Sequence, residues 1–159
     1  MANLFRVVGN RSAWKSASDA ASLSATRFFS DIKLEGASLS VWRAEAETSV
    51  EKAVAAIAAS RDFVSNVDLV FVDEEAVGAM GVAIHAADGQ TPYTAANSLH
   101  RDLNLSTLGQ VVSVTQTFVQ NETSRYNASQ VRSLLMAAVR SGEIRAADLR
   151  ERLRAKLDV

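Results

Sequence analysis

The sequence predicts an α+β protein in which helices pack on a mixed, mostly antiparallel sheet of about five strands and a helical hairpin ends the chain. Segments of period two, typical of strands, recur between segments of helical period. No linker rich in proline or glycine interrupts the 159 residues, so we expect a single domain over 1–159. The predicted order of elements is β-α-β-α-β-β-α-β-α-α.

Two strands of the first half are predicted on clear patterns. Residues 37–45 have period two, with Leu39, Val41 and Arg43 on one side, and residues 69–72 form a continuous apolar run. Thr48 and Glu51 have the spacing of a capping box at the start of a helix. The predicted elements are a strand at 4–8, a weak helix and loop at 12–25, a strand at 37–45, a helix at 48–63 and a strand at 67–75.

The second half is predicted to end in two consecutive helices. Asn127 and Gln130 have capping spacing, and Ser141 with Gly142 ends the helix that they begin. The predicted elements are a strand at 77–84, a short helix after Pro92 that reaches His100, a strand at 108–120, and helices at 128–140 and 145–157. The last helix carries a leucine stripe that could be an interaction surface if it is exposed: Leu149, Leu153 and Leu157.

Composition excludes several kinds of site. There is no cysteine, which excludes disulfides, a thiolate nucleophile and cysteine-ligated metals. The start of the chain shows no secretory signal and no apolar run is long enough for a membrane span, so we expect a soluble cytoplasmic protein without a membrane segment. Abundant alanine and arginine suggest a bacterial origin. The phosphate-binding loop, the dinucleotide fingerprint, the nucleophile elbow and the zinc-protease motif are all absent from the sequence.

Charge divides the chain into an acidic body and a basic end. Residues 1–124 carry nine basic and fourteen acidic side chains, whereas residues 125–159 carry eight basic and four acidic ones. The basic end is interpreted as a solvated amphipathic hairpin, with a protein partner as the next alternative. Nucleic-acid binding is disfavoured because acidic residues interrupt the basic ones and no aromatic platform accompanies them.

The segment 82–102 holds both histidines of the chain and is the first candidate site. His85 and His100 have the residue type for general acid–base catalysis, and with Asp88 or Asp102 they could form a 2-His-1-carboxylate metal site. No metal is predicted, because the spacing matches no metal motif. The alternative is a surface loop that happens to collect these residues. The candidate ligand-binding residues are Tyr93, Arg101 and Asp102 here, and Arg43 elsewhere in the chain.

Arginines on predicted strands form the second candidate. Arg6 and Arg43 could bind phosphate or carboxylate, or they could simply pair with acidic neighbours. Asp73, Glu74 and Glu75 could do acid–base chemistry or bind Mg²⁺, but they are better interpreted as a solvated turn.

A partial resemblance covers roughly residues 4–58. "LFRVV", "TRFFS" and "LSVWRAE", followed directly by "SVEKAVAA", resemble the first half of ADP-ribosyltransferase-like or RES-type domains. That resemblance implies NAD as cofactor, held by Arg6 on the first strand and Ser40 on the second. A later acidic residue would complete the site, and Glu122 is the candidate by position.

The leading interpretation is a binding or interaction domain that acts through a protein partner, a homo-oligomer or a small ligand. Its surface would be the 85–102 loop, the terminal helices or both. The first alternative is an NAD-using transferase or glycohydrolase with Arg6, Ser40 and a nearby histidine. The second alternative is nucleic-acid binding through the C-terminal helices.

Overall fold

The computed structural model describes residues 2–159 and has one six-stranded sheet. Neighbouring strands all pair antiparallel, in the order β4-β5-β2-β1-β3-β6. The strands are β1 Asn3–Val8, β2 Ser38–Ala44, β3 Val67–Asp73, β4 Ala83–Ala86, β5 His100–Asn104 and β6 Thr123–Tyr126. The predicted α+β class is confirmed, with six strands rather than about five.

Eight α-helices and two short 3₁₀ turns lie in the described residues. The α-helices are α1 Arg11–Ser16, α2 Ala25–Asp31, α3 Glu47–Ala59, α4 Glu74–Ala79, α5 Thr94–Asn97, α6 Leu108–Gln120, α7 Ala128–Arg140 and α8 Glu151–Leu157. No helix within residues 2–159 combines the length and the apolar character that crossing a membrane requires.

The first strand of the chain lies inside the sheet and is covered on both faces. Leu4 and Phe5 are adjacent in β1 and point to opposite faces, yet both are fully buried. Phe5 packs with α3, α7 and α8, whereas Leu4 packs with α1 and α6. The sheet therefore separates two helical layers, each with its own apolar core.

Residues 108–120 form a helix, α6, so the predicted strand there was wrong. Val111, Val114 and Phe118 are buried at helical spacing. A capping box begins the helix: the Thr107 side chain accepts from the Gln110 backbone N–H, and the Gln110 side chain accepts from the Thr107 N–H. Local capping and one-sided burial outweigh the strand preference of the many valines and threonines.

The predicted strand at 77–84 was also wrong over most of its length. Asp73 caps α4 by accepting from Glu75 N–H at 2.7 Å and Ala76 N–H at 3.0 Å. Gly81 follows with φ of +72°, a conformation that glycine adopts without strain. Only then does the chain enter β4, an edge strand of four residues.

Of three predicted helix starts, one is confirmed and two are corrected. Asn127 and Gln130 form the predicted capping box of α7. In α3, Ala46 is the N-cap residue and no side chain caps it, so the predicted box at Thr48 and Glu51 was wrong. The predicted helix at 145–157 is a 3₁₀ turn at Ala146–Asp148 followed by the shorter α8.

Three further elements differ from the prediction. The sequence patterns missed α2, which contains Phe28 and Phe29. They also missed β6, the strand at one edge of the sheet. The short helix after Pro92 ends at Asn97, and His100 lies on β5 rather than on that helix.

Candidate functional site

The predicted loop between β4 and β5 is held together by its own polar groups. The Asn97 amide donates to the Thr91 carbonyl at 3.1 Å, and its Oδ1 accepts from the Thr91 hydroxyl at 2.6 Å. Gly89 N–H donates to the Asn97 carbonyl, and a Cβ at position 89 would lie 2.9 Å from Asn97 Oδ1. The loop therefore has a defined shape that depends on a glycine at that point.

The two histidines lie on neighbouring strands in different surroundings. His85 is exposed on β4, opposite Asp102 in the register, but forms no ion pair with it in the described part of the chain. His100 Nδ1 lies 3.1 Å from the Ala87 carbonyl, and its ring meets Trp42 edge-on at 5.4 Å. His100 thus joins the loop to the core.

The structure does bring two predicted residues together. Ser40 and Asp102 are opposite each other on β2 and β5, and the Ser40 hydroxyl donates to Asp102 Oδ1 at 3.2 Å. With His85 they form a row across three strands on one open face of the sheet. The carboxylate lies between the hydroxyl and the imidazole, so the histidine does not contact the hydroxyl proton as a nucleophilic serine requires.

Arg6 on β1 lies next to the part of β2 that holds Ser40, but its side chain is on the other face of the sheet. Continuing the β1–β2 register places Arg6 opposite Val41, so its side chain and that of Ser40 point to opposite faces. The guanidinium donates to the main-chain carbonyls of Asp31 and Ser40. Burial lowers the pKa of Arg6, and the nearby charge of Asp31 opposes that shift.

The other predicted arginines have local partners. Arg43 pairs with Glu74 at 2.8 Å and with Glu45 at 2.9 Å, and the hydrogen bond to Glu74 raises the Arg43 pKa. Arg101 donates to the Ser98 and His100 carbonyls, both at 2.7 Å. The predicted arginines do not converge on one cleft.

The acidic candidates are equally dispersed. Asp73 is a helix cap, and Glu74 is the partner of Arg43. Glu122 is exposed just before β6, and both β1 and β3 lie between β6 and the strand of Ser40. Within residues 2–159 no three histidine, aspartate or glutamate side chains are close enough to hold a metal ion.

Tyr93 lies buried between the β4–β5 loop and the residues that follow α7. It is 2 % exposed, and burial together with the hydrogen bond and charge of Glu143 raises its pKa to about 12. Lys52 on α3 lines the same small cavity, beside Glu143. Tyr93 therefore fastens the loop to the residues that follow α7.

The C-terminal hairpin folds back onto the body, so its leucine stripe is not exposed and does not form the interaction surface that exposure would have given. Leu149, Leu153 and Leu157 are at most 4 % exposed and belong to the core between the sheet, α3 and α7. Arg132 on α7 donates to the Lys156 carbonyl at the end of α8, at 2.6 Å. This arginine therefore helps to close the hairpin.

A different apolar surface is exposed, and the sequence patterns missed it. Five large apolar side chains are exposed among the described residues, and three of them lie on α2 and α6: Phe29 at 73 %, Leu108 at 77 % and Val112 at 48 %. Phe29 and Leu108 flank a shallow hollow whose lining is apolar except for one lysine: Phe28, Phe29, Ile32, Lys33, Leu34, Leu108 and Val111. We call this surface the α2–α6 face.

The α2–α6 face is also poor in charge. Residues 103–121, which include the whole of α6, contain no Asp, Glu, Lys or Arg. Solvated helices usually carry charged side chains on their outer face, and the centres of protein interfaces are depleted of charge. The uncharged run was visible in the sequence, but interpreting 108–120 as a strand concealed which of its side chains share a face.

Within residues 2–159, fold and surface define an α+β protein with two helical layers and an exposed apolar face that is poor in charge. Comparisons with protein-family models, curated proteins and solved structures found no match.

Proposed function

We propose that this chain is a protein-interaction domain whose binding surface is the α2–α6 face. The observation that carries the proposal is that exposed Phe29 and Leu108 flank one apolar hollow, with exposed Val112 one helical turn from Leu108. Burial of such side chains contributes about 25 cal/mol for each Å² of apolar surface removed from water. Contiguous exposed apolar patches of this kind are typical of protein-binding sites.

The C-terminal surface that the sequence predicted supports this function less well than the α2–α6 face does. The leucines of the C-terminal hairpin are used inside the protein, and Arg132, Arg145 and Arg150 form contacts within the chain. Nucleic-acid binding through the hairpin therefore has no observation in its favour.

The NAD-using alternative stays a prediction that no observation favours. It needs Arg6, Ser40 and a carboxylate in one cleft. The Arg6 guanidinium is engaged with main-chain carbonyls on one face of the sheet, while the Ser40 hydroxyl contacts Asp102 on the other.

Site-specific photo-crosslinking tests the proposal. A benzophenone amino acid replaces Phe29 in one version of the chain and Phe63 in another, and each is irradiated in the organism that encodes the chain. Phe63 is a matched control, because it is also an exposed phenylalanine, at 52 %, and lies outside the hollow.

We expect one discrete protein adduct from position 29, identified by mass spectrometry, and none from position 63. Leu108→Glu in the same chain should abolish the adduct. The fold should tolerate this change, because an acidic side chain in the first turn of α6 is favourable to the helix. Absence of an adduct from position 29, or equal adducts from both positions, would contradict the proposal.

A further inference from the structure

We infer that the partner of the α2–α6 face is a second copy of this chain, bound about a two-fold axis. This inference rests on the proposed function and deepens it. The shape of the face, its charge and the geometry of α6 support a second copy.

The α2–α6 face offers both halves of a contact. Phe29 and Leu108 protrude, and the hollow beside them is lined by Phe28, Ile32 and Val111. In a two-fold interface the same patch is presented by both copies, so a projecting side chain of each can enter the hollow of the other. A face with only projections or only a hollow would need a different partner.

The charges on the α2–α6 face of one copy are compatible with those on the same face of a second copy. α6 has no charged residue, and α2 carries Arg27 and Asp31, which form a 3.9 Å ion pair. Just beyond α2, Lys33 and Glu35 are exposed and opposite in sign, and neither forms an ion pair within residues 2–159.

Two copies of such a face meet without repulsion between like charges, and the lysine of one can approach the glutamate of the other. A strongly acidic or basic partner would find no excess of opposite charge here, and charge complementarity is what selects such partners. The neutral face therefore favours a second copy.

The geometry of α6 suits packing against another α6. The helix has 13 residues, which corresponds to a length of about 20 Å. Leu108 and Val112 are one turn apart on the same side, and the small residues Gly109 and Ser113 are exposed beside them. Small neighbours allow two helix axes to approach closely enough for the large side chains to interdigitate.

Sedimentation equilibrium of the purified chain at micromolar concentrations is the first measurement. We expect a reversible monomer–dimer equilibrium, which Leu108→Glu weakens by roughly a hundredfold, as loss of a central interface side chain typically does. Phe63→Ser is the matched control and should leave the equilibrium unchanged. A strictly monomeric native chain, or a dimer that Leu108→Glu leaves intact, overturns the inference.

A charge-pairing experiment tests the two-fold geometry. Val112→Lys and Val112→Glu should each be monomeric, because like charges would meet across the axis. An equimolar mixture of the two variants should form a heterodimer. If the mixture stays monomeric, the two-fold α6 contact is wrong. Circular dichroism of each variant should match that of the native chain, since Val112 is 48 % exposed.

The outcomes separate this inference from the proposed function. A monomeric chain whose position-29 adduct contains a different protein overturns the second copy and leaves the interaction domain standing. A monomeric chain without any such adduct overturns both. A dimer broken by Leu108→Glu, with an adduct between two copies, supports both.

Discussion

Helices α6 and α7 are built alike but differ in the charge of their outer sides. Each has 13 residues, begins with a capping box and buries an apolar stripe against the sheet, from opposite sides. α7 carries Arg132 and Arg140 on its outer side, whereas α6 carries no charge at all. Since both helices form, charge on the outer side is not needed for folding, and its absence from α6 is one of the observations on which the proposed interaction rests.

The inner stripes of the two helices should be equally important for stability. Phe118 on α6 is fully buried and meets Trp14 edge-on at 6.4 Å, and Leu135 on α7 is fully buried in the other core. We expect Phe118→Ala to lower the free energy of unfolding by about 3–5 kcal/mol and Leu135→Ala by about 2–5 kcal/mol. Urea unfolding of both variants measures this. A loss below about 1 kcal/mol for Phe118→Ala would mean that α6 is not part of the core.

The C-terminal leucines should behave like α7 rather than like the exposed side chains of α6. Leu153 is fully buried, so Leu153→Ala should cost about 2–5 kcal/mol of unfolding free energy. The comparison variant is Leu108→Ala, which should change stability by less than about 0.5 kcal/mol in the monomer. Thermal and urea unfolding give both values. Similar small effects in the two variants would mean that α8 does not pack on the body.

Acid should weaken the structure where one buried carboxylate joins β3 to β6 and to the start of α1. Asp68 on β3 accepts from Arg125 Nε at 2.6 Å and Nη2 at 2.7 Å, and from the Arg11 backbone N–H at the start of α1 at 2.9 Å. The hydrogen bonds from Arg125 hold the pKa of Asp68 below its ordinary value, although burial opposes the shift.

A carboxyl whose pKa is lower in the folded than in the unfolded state stabilises the fold fully above the ordinary aspartate range. That contribution is lost as the pH falls through the lowered pKa. We therefore expect the melting temperature to decrease when the pH is lowered past about 4. Arg125→Gln should make this dependence of the melting temperature on pH shallower. An unchanged pH profile in Arg125→Gln would contradict the assignment to Asp68.

Removing the N-cap side chain of α6 or of α7 should lower the unfolding free energy by a smaller and similar amount. Thr107 caps α6 and Asn127 caps α7, each by accepting from the backbone N–H of the third helical residue. Thr107→Ala and Asn127→Ala should each cost about 1 kcal/mol. Urea unfolding of the two variants side by side is the measurement. A cap that matters on α7 and not on α6 would mean that α6 begins elsewhere in solution.

The smallest effect on stability should come from a charge added to the outer side of either helix. Val112→Lys on α6 and Ser133→Lys on α7 both change exposed positions, so each should alter the unfolding free energy of the monomer by no more than about 0.5 kcal/mol. Only Val112→Lys should change self-association, which sedimentation measures. Equal effects of the two lysines on association would remove the distinction between the helices.

The sequence patterns predicted the elements whose local and tertiary signals agree. β2, β3 and α7 were expected close to their observed bounds, because alternation, a continuous apolar run and a capping pair each have one structural meaning. The strand prediction for residues 108–120 was wrong because valines and threonines alternate there while the buried positions recur at helical spacing. Capping by Thr107 and burial of one side decided the outcome.

The candidate sites show a similar limit. Residue type identified Ser40 and Asp102, and the structure does place them in contact. Type alone could not show that Arg6 is engaged by main-chain carbonyls from α2 and β2. The α2–α6 face depends on two helices that the patterns missed or misassigned, so its side chains could not be brought together from the sequence.

The position of β1 has a consequence for how quickly the chain folds. This strand pairs with partners far along the sequence, such as Asn3 with Ala44 and Asn3 with Asp73, and only β4 and β5 are close together in the chain. Topologies with such non-local pairing fold more slowly than helical bundles, since distant segments must meet before any contact stabilises them. During that delay the apolar side chains of α2 and α6 can associate between incompletely folded chains. Refolding yield should therefore fall as the concentration of the chain rises, and Leu108→Glu should refold with the higher yield.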